Sequence, residues 1–372
     1  MEKHDIGIFT FWDVPNYGTF AQAYALQRVL QKLYPDREVL QIAYLDSKHY
    51  RFYYSRLPLS KPWHKKFYKD IIARNTVEAS RKRELFLHAY ESIPHTEKFT
   101  KEELQEARFN TVIVGSDIVW DYSFRCFNHD EFLFGKGFNS DSVCAYAASF
   151  GTVRPENQHP EYVISGIRNM KKISVREENS QRIVEQITGR SPEIVLDPTW
   201  LWDFTKDENV VSPQLENYMV VYGQDFTEDF ITQIIEYAKE RGLKLVCLDC
   251  NNDNYAWCDV VLRQHELTPY EWIGLFRGAK TIATTTFHGL TFSLIFNKQF
   301  AFCKTDFILA KAGTFLKDLG LYRKFTDSNI SVKEMIDEDW DYKYINTVIG
   351  AYRTKSIEFL KSIVPQRKCE SK

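Results

Sequence analysis

Short apolar segments alternate with amphipathic ones along the chain, and this alternation limits the possible folds more than any other feature. Residues 6–12 are rich in β-formers and predict a strand, residues 21–33 have apolar positions at helical spacing, and residues 39–44 predict a second strand. Such an order implies parallel strands joined by a right-handed crossover. Further strands of this kind are predicted at 111–114, 143–147, 172–175 and 193–196.

A polar segment at 200–217 separates this pattern from a second one of the same kind, with predicted strands at 218–222 and 244–248. A chain of 372 residues fits two domains at roughly 150 residues each. We therefore predict an α/β protein with two Rossmann-like domains that face each other across a cleft. The predicted parts are 1–200 with a basic helical insertion at 47–105, then 201–340, and a C-terminal helical segment at 341–372.

The composition argues against several classes of protein. The net charge is −2, whereas nucleic-acid-binding domains carry excess basic charge. No apolar run approaches the ~20 residues of a membrane span, and the N-terminus lacks the apolar core of a signal peptide. The seven scattered cysteines suit reduced thiols, so we expect a cytoplasmic protein. Cys247 and Cys250 form a CxxC without a second pair; we interpret it as structural, with a redox or metal role as the alternative, and expect no metal or cofactor.

The predicted insertion at 47–105 is both basic and aromatic. Trp63, Phe67 and Tyr68 interleave with basic residues, which are Lys61, Lys65, Lys66, Lys69, Arg74, Arg81, Lys82 and Arg83. The simplest interpretation is the solvated face of a core helix. The alternative is a surface that meets anionic lipid headgroups or a lipid-linked acceptor, which would hold the protein at the inner face of the membrane.

Residues 284–296 run from a strand through a polar turn into an apolar helix. The turn places His288 beside Gly289, where the N–H groups of the first helical turn favour an anion. A histidine can act as an acid or a base near neutral pH, so a proton donor would lie beside a phosphate or carboxylate site. The alternative is a buried histidine in an ordinary strand–helix turn.

Polar or charged residues follow most of the predicted strands of the first domain. Asp13 and Asn16 follow the first strand, Asp117 follows the strand at 111–114, and Arg176 follows the strand at 172–175. In open α/β sheets the ligand crevice lies beyond the carboxyl ends of the strands. We therefore expect these side chains to converge on one cleft.

Taken in order, several of these segments resemble the polysaccharide pyruvyl transferase family. The motifs span residues 6 to about 303, and one of them alone would be a weak signal. They are Asn16-Tyr17-Gly18 with Gln22-Ala23-Tyr24-Ala25-Leu26, Val112-Ile113-Val114-Gly115-Ser116-Asp117 with Val119-Trp120, Tyr146-Ala147-Ala148-Ser149-Phe150-Gly151, Ile173-Ser174-Val175-Arg176-Glu177, Val195-Leu196-Asp197-Pro198-Thr199, and Phe287-His288-Gly289 with Phe292-Ser293-Leu294-Ile295-Phe296.

The resemblance implies a fold similar to that of the two-domain GT-B glycosyltransferases. It implies transfer of pyruvate from phosphoenolpyruvate onto a sugar as a cyclic ketal, in the assembly of a surface polysaccharide whose acceptor is often lipid-linked. The acceptor would then belong to the first domain and the donor to the second. Phosphoenolpyruvate is strongly anionic, and arginine suits bidentate recognition of a carboxylate, so Arg176 is the predicted clamp and Arg154 a second candidate. The alternative for Arg176 is an ion pair with Glu177 or Glu178.

The implied reaction also needs an acid, a base and binding groups for the sugar. His288 takes the part of acid or base. Asp117 is a base toward a sugar hydroxyl or a sugar-binding carboxylate, the alternative being a helix N-cap. Asp13 and Asn16 are expected to hydrogen-bond the acceptor. The remaining predicted substrate contacts are Gly18, Ser116, Ser149, Thr286, Gly289 and Thr291, with the amides near 289–291 on the phosphate.

The chain departs from the family pattern in two places. Many members have an arginine or an acid–serine pair where this chain has Thr285-Thr286, and many have an acid where it has Thr19. Two other functions therefore stay open. One is a glycosyltransferase of the same architecture that uses a nucleotide sugar, and the other is a non-catalytic glycan-binding relative.

Overall fold

The computed structural model describes residues 3–58, 61–124, 130–248, 255–338 and 340–365. The chain divides into two compact units, Met1–Trp202 with Tyr352–Lys372, and Asp203–Ala351. Within the described ranges no helix is long and apolar enough to cross a bilayer. Each unit contains one parallel sheet, so the predicted α/β class is confirmed.

The first unit has a six-stranded parallel sheet in the order β2-β1-β3-β4-β5-β6. Its strands are β1 Lys3–Phe9, β2 Val39–Gln41, β3 Arg108–Val114, β4 Asn139–Ala148, β5 Ile173–Val175 and β6 Glu193–Ile194. Its helices are α1 Tyr17–Leu33, α2 Ser47–Tyr54, α3 Lys66–Arg74, α4 Val77–Glu91, α5 Lys101–Glu106, α6 Glu161–Asn169 and α7 Glu178–Thr188, with 3₁₀ turns at Glu131–Phe134 and Pro198–Trp200. Helices α2 to α5 lie in the long connection between β2 and β3.

The second unit has a five-stranded parallel sheet in the order β11-β10-β7-β8-β9. Its strands are β7 Tyr218–Tyr222, β8 Lys244–Leu248, β9 Val260–Leu262, β10 Thr281–Thr284 and β11 Phe300–Phe302. Its helices are α8 Glu228–Arg241, α9 Pro269–Gly278, α10 Phe287–Ile295, α11 Asp306–Asp318, α12 Tyr322–Thr326 and α13 Val332–Asp337. The last helix, α14 Tyr342–Ile363, begins in the second unit and ends in the first.

Two apolar clusters cover the two faces of the first sheet. On one face Ile8 packs in a cluster with Leu30 of α1 and Leu360 of α14. On the other face Phe9 belongs to a cluster that includes Ile167 of α6. Because helices cover both faces, the strands must be apolar on both sides, which explains why they are continuous apolar runs in the sequence.

Capping residues fix where several helices begin and end. Helix α8 begins after Thr227, whose hydroxyl accepts a hydrogen bond from the Phe230 N–H, and it ends at Gly242 with φ 63°. Helix α9 begins with a reciprocal capping box between Thr268 and Glu271. Each such cap contributes about 1 kcal/mol and fixes the point at which the chain leaves the preceding loop.

The structure bears on two further sequence predictions, the strand at 39–44 and the CxxC. The strand predicted at 39–44 pairs with β1 only over Val39–Gln41, because Ala43 bonds instead to the segment after α4, through Thr96 and Phe99. In the CxxC, Cys247 is buried in β8, whereas Cys250 lies outside the described residues.

Candidate functional site

In each sheet the strand order reverses direction at one place, the topological switch point, where a crevice forms at the carboxyl edge. In the first sheet β1 and β3 are neighbours, but the chain leaves β1 toward β2 and leaves β3 toward β4. In the second sheet β7 and β10 have the same relation. Loops that depart in opposite directions leave a crevice between them, and ligands of α/β proteins bind there. The candidate residues are described at these two points, one unit at a time.

A buried polar network joins the ends of β1 and β3 in the first unit. The side chain of Gln22 donates to Thr10 Oγ1 at 3.1 Å, and Ser116 Oγ donates to Gln22 Oε1 at 2.9 Å. Thr10 Oγ1 in turn donates to the Ser116 carbonyl at 3.1 Å. The Ser116 hydroxyl is fully buried and engaged in this network, so the structure gives it a supporting role rather than the predicted contact with substrate.

Asp117 lies just after this network and has φ 78°, an uncommon value for a residue other than glycine. Its Oδ2 accepts a hydrogen bond from Thr19 Oγ1 of α1 at 3.1 Å, and its Oδ1 accepts the Ile118 N–H at 2.8 Å. Oδ1 also lies 3.4 Å from a guanidinium nitrogen of Arg176. The carboxylate is thus held from several sides while 14% of its side chain stays exposed.

Arg176 follows β5 and is surrounded by carboxylates of the protein. Its nitrogens lie 3.0 Å from Asp197, 3.4 Å from Asp117 and 3.5 Å from Glu177, and its side chain is 5% exposed. Burial lowers the pKa of Arg176, but the three carboxylates outweigh burial and the pKa lies above its ordinary value. A ligand anion would have to compete with three fixed acids. The ion pair with Glu177, the alternative interpretation of Arg176, is therefore present, and the anion clamp stays a prediction.

Asp13 occupies the loop between β1 and α1 and is 7% exposed. The hydroxyl of Tyr54, at the end of α2, donates to Asp13 Oδ1 at 3.0 Å and also to the Asp13 carbonyl oxygen. Burial raises the pKa of Asp13 to about 6, although the bond from Tyr54 acts in the opposite direction. This carboxylic acid can therefore exchange a proton near neutral pH.

The other predicted residues of the first unit are either exposed or buried. Asn16 is exposed and caps α1 by accepting the Thr19 N–H at 3.0 Å, and Gly18 is buried in the first turn of that helix. Ser149 is fully buried and donates to a carboxylate oxygen of Glu177 at 2.9 Å. Arg154 is exposed in the loop after β4. Of these, Asn16 and Arg154 stay accessible to a ligand.

In the second unit three consecutive threonines, Thr284 at the end of β10 with Thr285 and Thr286 after it, form the turn. Thr284 Oγ1 donates to the Tyr222 carbonyl at 2.6 Å, and Thr285 Oγ1 accepts the Gln224 N–H at 2.9 Å. Gly223 follows β7 directly, and a Cβ atom there would overlap Thr285. The threonines therefore bind the loop after β10 to the loop after β7.

Thr286 is the N-cap of α10, and its Oγ1 accepts the Gly289 N–H at 2.9 Å. His288 is half-buried in the first turn of this helix. A Cβ atom at Gly289 would overlap Thr284 Oγ1, so this position must be glycine for close packing. Thr291 is fully buried further along the helix. The Gly289 amide is engaged in the cap, and His288 is the titratable residue in this first turn.

The structure thus groups the predicted residues in two sets, Asp13, Asn16 and Asp117 in the first unit and Thr286, His288 and Gly289 in the second. Sequence reasoning missed Tyr54, which no local pattern marks. It also missed Gly223, although a glycine directly after a predicted strand is a usable signal. Within the described part of the chain, no group of three or more His, Cys, Asp or Glu is placed to hold a metal ion.

Comparison with solved structures defines the class of fold. The chain is similar to UDP-GlcNAc 2-epimerase from Neisseria meningitidis bound to UDP-GlcNAc, with TM-score 0.50 and 10% identity over 97% of this chain and 100% of that one. It is similar to a putative UDP-N-acetylglucosamine 2-epimerase from Listeria monocytogenes, with TM-score 0.50 and 9% identity over 97% and 95% of the two chains. For the glycosyltransferase SnogD from Streptomyces nogalater the TM-score is 0.43 at 10% identity, over 97% and 100%. The two structures at TM-score 0.50 support the predicted GT-B-like fold, and at these identities the likeness shows the fold alone.

A family model identifies the group to which the chain belongs. The model of the polysaccharide pyruvyl transferase family matches residues 16–306. The match covers most of the chain, so this protein belongs to the polysaccharide pyruvyl transferase family. No curated protein matches the sequence significantly.

Proposed function

We propose that the protein transfers pyruvate from phosphoenolpyruvate onto two hydroxyls of a sugar as a cyclic ketal, during surface polysaccharide biosynthesis. The observation that carries the proposal is the position of His288. In a member of this family, a half-buried histidine lies in the first turn of α10, at the carboxyl edge where β10 and β7 are neighbours. A proton donor at the positive end of a helix suits an anionic substrate that must be protonated.

The reaction sets the demands on the protein. Protonation of the methylene carbon of phosphoenolpyruvate makes C2 electrophilic, and two sugar hydroxyls then form bonds to C2. Phosphate departs with the electron pair of its bond to C2, and both hydroxyls lose their protons. The products are the ketal and inorganic phosphate, so the reaction needs acid and base groups but no oxidant or reductant.

The proposal assigns the donor to the second unit and the acceptor to the first. His288 is the acid for the methylene carbon, and the N-terminal end of α10 favours the phosphate. On the acceptor side, Asp117 binds or deprotonates a sugar hydroxyl, and Asn16 offers an exposed polar group. Arg154, which is exposed, stays the second candidate clamp for the donor anion. Asp117 suits this role because Thr19 and Arg176 fix the orientation of its carboxylate.

The proposed activity is tested by phosphate release from phosphoenolpyruvate across a panel of lipid-linked sugars. We expect release only in the presence of a suitable acceptor, together with a product heavier by one pyruvyl ketal. Hydrolysis or transfer of a UDP- or GDP-sugar without use of phosphoenolpyruvate would instead identify a glycosyltransferase. Tight sugar binding with no turnover of either donor would identify a non-catalytic relative.

We also propose that the protein contacts a membrane, because the residues of α3 and its neighbourhood form an exposed basic and aromatic surface. None of the nine residues of α3 is buried, and its neighbourhood exposes large apolar side chains, with Trp63 78% and Ile72 70% exposed. Polar bonds hold the helix in place, among them those from Arg74 to the Phe52 carbonyl at 2.8 Å and from Arg83 to the Arg74 carbonyl at 3.1 Å. We define the basic aromatic surface as Leu57, Trp63, Tyr68, Ile72 and Val77 with Lys61, Lys65, Lys66 and Lys69.

The basic aromatic surface fits the headgroup region of an anionic bilayer. Aromatic and aliphatic side chains enter that region, and each nearby lysine adds about 1 kcal/mol of attraction. A protein that modifies a lipid-linked acceptor would thereby be held beside its substrate. The positive charge of the lysines and the exposed apolar side chains both favour membrane contact over the simpler interpretation, in which this surface meets only water.

We expect the protein to co-sediment with anionic vesicles at low salt and to be released as salt rises, since exposed charges are screened beyond ~8 Å at physiological ionic strength. Trp63→Ser, or Lys65→Glu combined with Lys66→Glu, should weaken the binding. The matched controls are Val211→Ser and Lys206→Glu, which change exposed residues of the second unit. Equally weak sedimentation with anionic and neutral vesicles would eliminate the membrane contact and leave the proposed reaction untouched.

A further inference from the structure

Within the described ranges, hydrogen bonds reach one oxygen of the Asp13 carboxylate. Tyr54 donates its hydroxyl to Oδ1 at 3.0 Å, and among the residues that the structure describes none donates a hydrogen bond to Oδ2. The residue is more than nine-tenths buried, and it lies in the loop that follows β1, whose last residue, Phe9, pairs with the last residue of β3, Val114. One oxygen is therefore fixed in place while the other can accept a proton from a ligand at the carboxyl edge of the sheet.

We propose that Asp13 is a general base that deprotonates one of the two acceptor hydroxyls, and that Tyr54 is the positioning residue that orients its carboxylate. This inference rests on the proposed pyruvyl transfer. The proton of the hydroxyl moves to Asp13 Oδ2 while the sugar oxygen forms its bond to C2 of the pyruvyl group. Asp13 returns that proton to solvent after phosphate has left, and His288 takes from solvent a proton that replaces the one given to the methylene carbon, so the enzyme ends the cycle in its starting state.

The surroundings of Asp13 suit a base that works near neutral pH. Burial raises its pKa to about 6, and a catalytic group is most effective when its pKa lies near the operating pH. The hydrogen bond from Tyr54 opposes burial and limits the rise. The titratable and charged groups that face Asp13 come from α2, from α4 and from the segment after α4, and they are Tyr54, Tyr90, Glu91, His95 and Lys98.

The first test is Asp13→Asn. Asparagine tolerates the positive φ of 61° at this position and can still accept the bond from Tyr54, so the fold should be kept. We expect acceptor-dependent phosphate release to fall by ~10²-fold or more, with unchanged binding of phosphoenolpyruvate measured without acceptor.

Stability separates this role from a structural one. Because the folded-state pKa of Asp13 is raised, ionising it costs stability as pH rises from the ordinary range of an aspartate through about 6. At pH 8 the Asn variant lacks that cost, so its melting temperature should equal or exceed that of the wild type. A melting temperature that falls while turnover per folded molecule is kept would overturn the proposed base.

The second test is Tyr54→Phe, which removes a hydrogen bond that lowers the pKa of Asp13. The acidic limb of the kcat/KM profile should then move to higher pH. Tyr50→Phe is the matched control, because it removes a half-exposed hydroxyl from the same helix. An unmoved limb in Tyr54→Phe overturns the positioning role. If the wild-type protein releases no phosphate with any acceptor, the proposed pyruvyl transfer is wrong. The role of Asp13 as a base then falls with it, because that role rests on the reaction.

Discussion

Replacing His288 by alanine is expected to lower turnover by at least ~10²-fold, the low end for the loss of a general acid or base. His288 is half-buried in the first turn of α10, and that helix is capped by Thr286 through the Gly289 N–H, so its start does not depend on the imidazole. Alanine is also the best helix former, so the fold should change little. Phosphate release from phosphoenolpyruvate with a competent acceptor measures the effect.

Two further variants show whether the loss belongs to proton transfer. His288→Gln keeps a polar side chain of similar size but cannot supply a proton, so it should be nearly as inactive as alanine. His265→Ala removes another partly buried histidine of the second unit and should keep wild-type turnover. If His288→Ala retained near wild-type turnover and a normal melting temperature, the assignment of His288 as the acid would be wrong.

The fold class followed from the sequence because its signals are local and repeated. Apolar runs that end in polar residues, with amphipathic segments between them, leave few arrangements other than parallel sheets covered on both faces. Boundaries were less predictable where tertiary contacts decide them. Residues 42–44 have the composition of a strand, yet β2 ends at Gln41. Ile42 still donates its N–H to the Ile8 carbonyl of β1, but both backbone bonds of Ala43 go to the segment after α4, at Thr96 and Phe99.

For the candidate site, the sequence predicted the residues that directly follow strands, but it did not predict most of the side chains that contact them. Asp13, Asp117 and Arg176 were found in this way, since each follows a strand. Of their partners only Glu177 was foreseen, as the alternative ion pair of Arg176, because the other pairings depend on the lateral order of the strands and on long connections. Tyr54 reaches Asp13 from a helix 41 residues further along the chain. Asp117 and Asp197, the other two acids around Arg176, come from loops that are distant along the chain, so the sequence did not indicate how deeply the ion pairs bury this guanidinium.

Replacing Arg176 by methionine is expected to lower the free energy of unfolding by about 3–5 kcal/mol, the cost of leaving buried charges without their partner. The guanidinium lies within 3.5 Å of Asp117, Asp197 and Glu177, and Asp197 is 2% exposed. Methionine has similar length but no charge, so these carboxylates would repel one another in a poorly solvated place. Urea unfolding, with the slope checked against wild type, measures the loss.

The companion variants separate a stabilising Arg176 from one that binds substrate. Adding Asp197→Asn to Arg176→Met removes one of the unpaired acids and should recover part of the lost stability, because the two changes act on one ion-pair network. Arg323→Met is the matched control, since its side chain is 89% exposed and its ion pair should contribute less than about 1 kcal/mol. Arg176→Met could instead unfold like wild type but bind phosphoenolpyruvate tenfold more weakly. The guanidinium would then be an anion clamp, and the donor anion would have to replace its contacts with the three carboxylates.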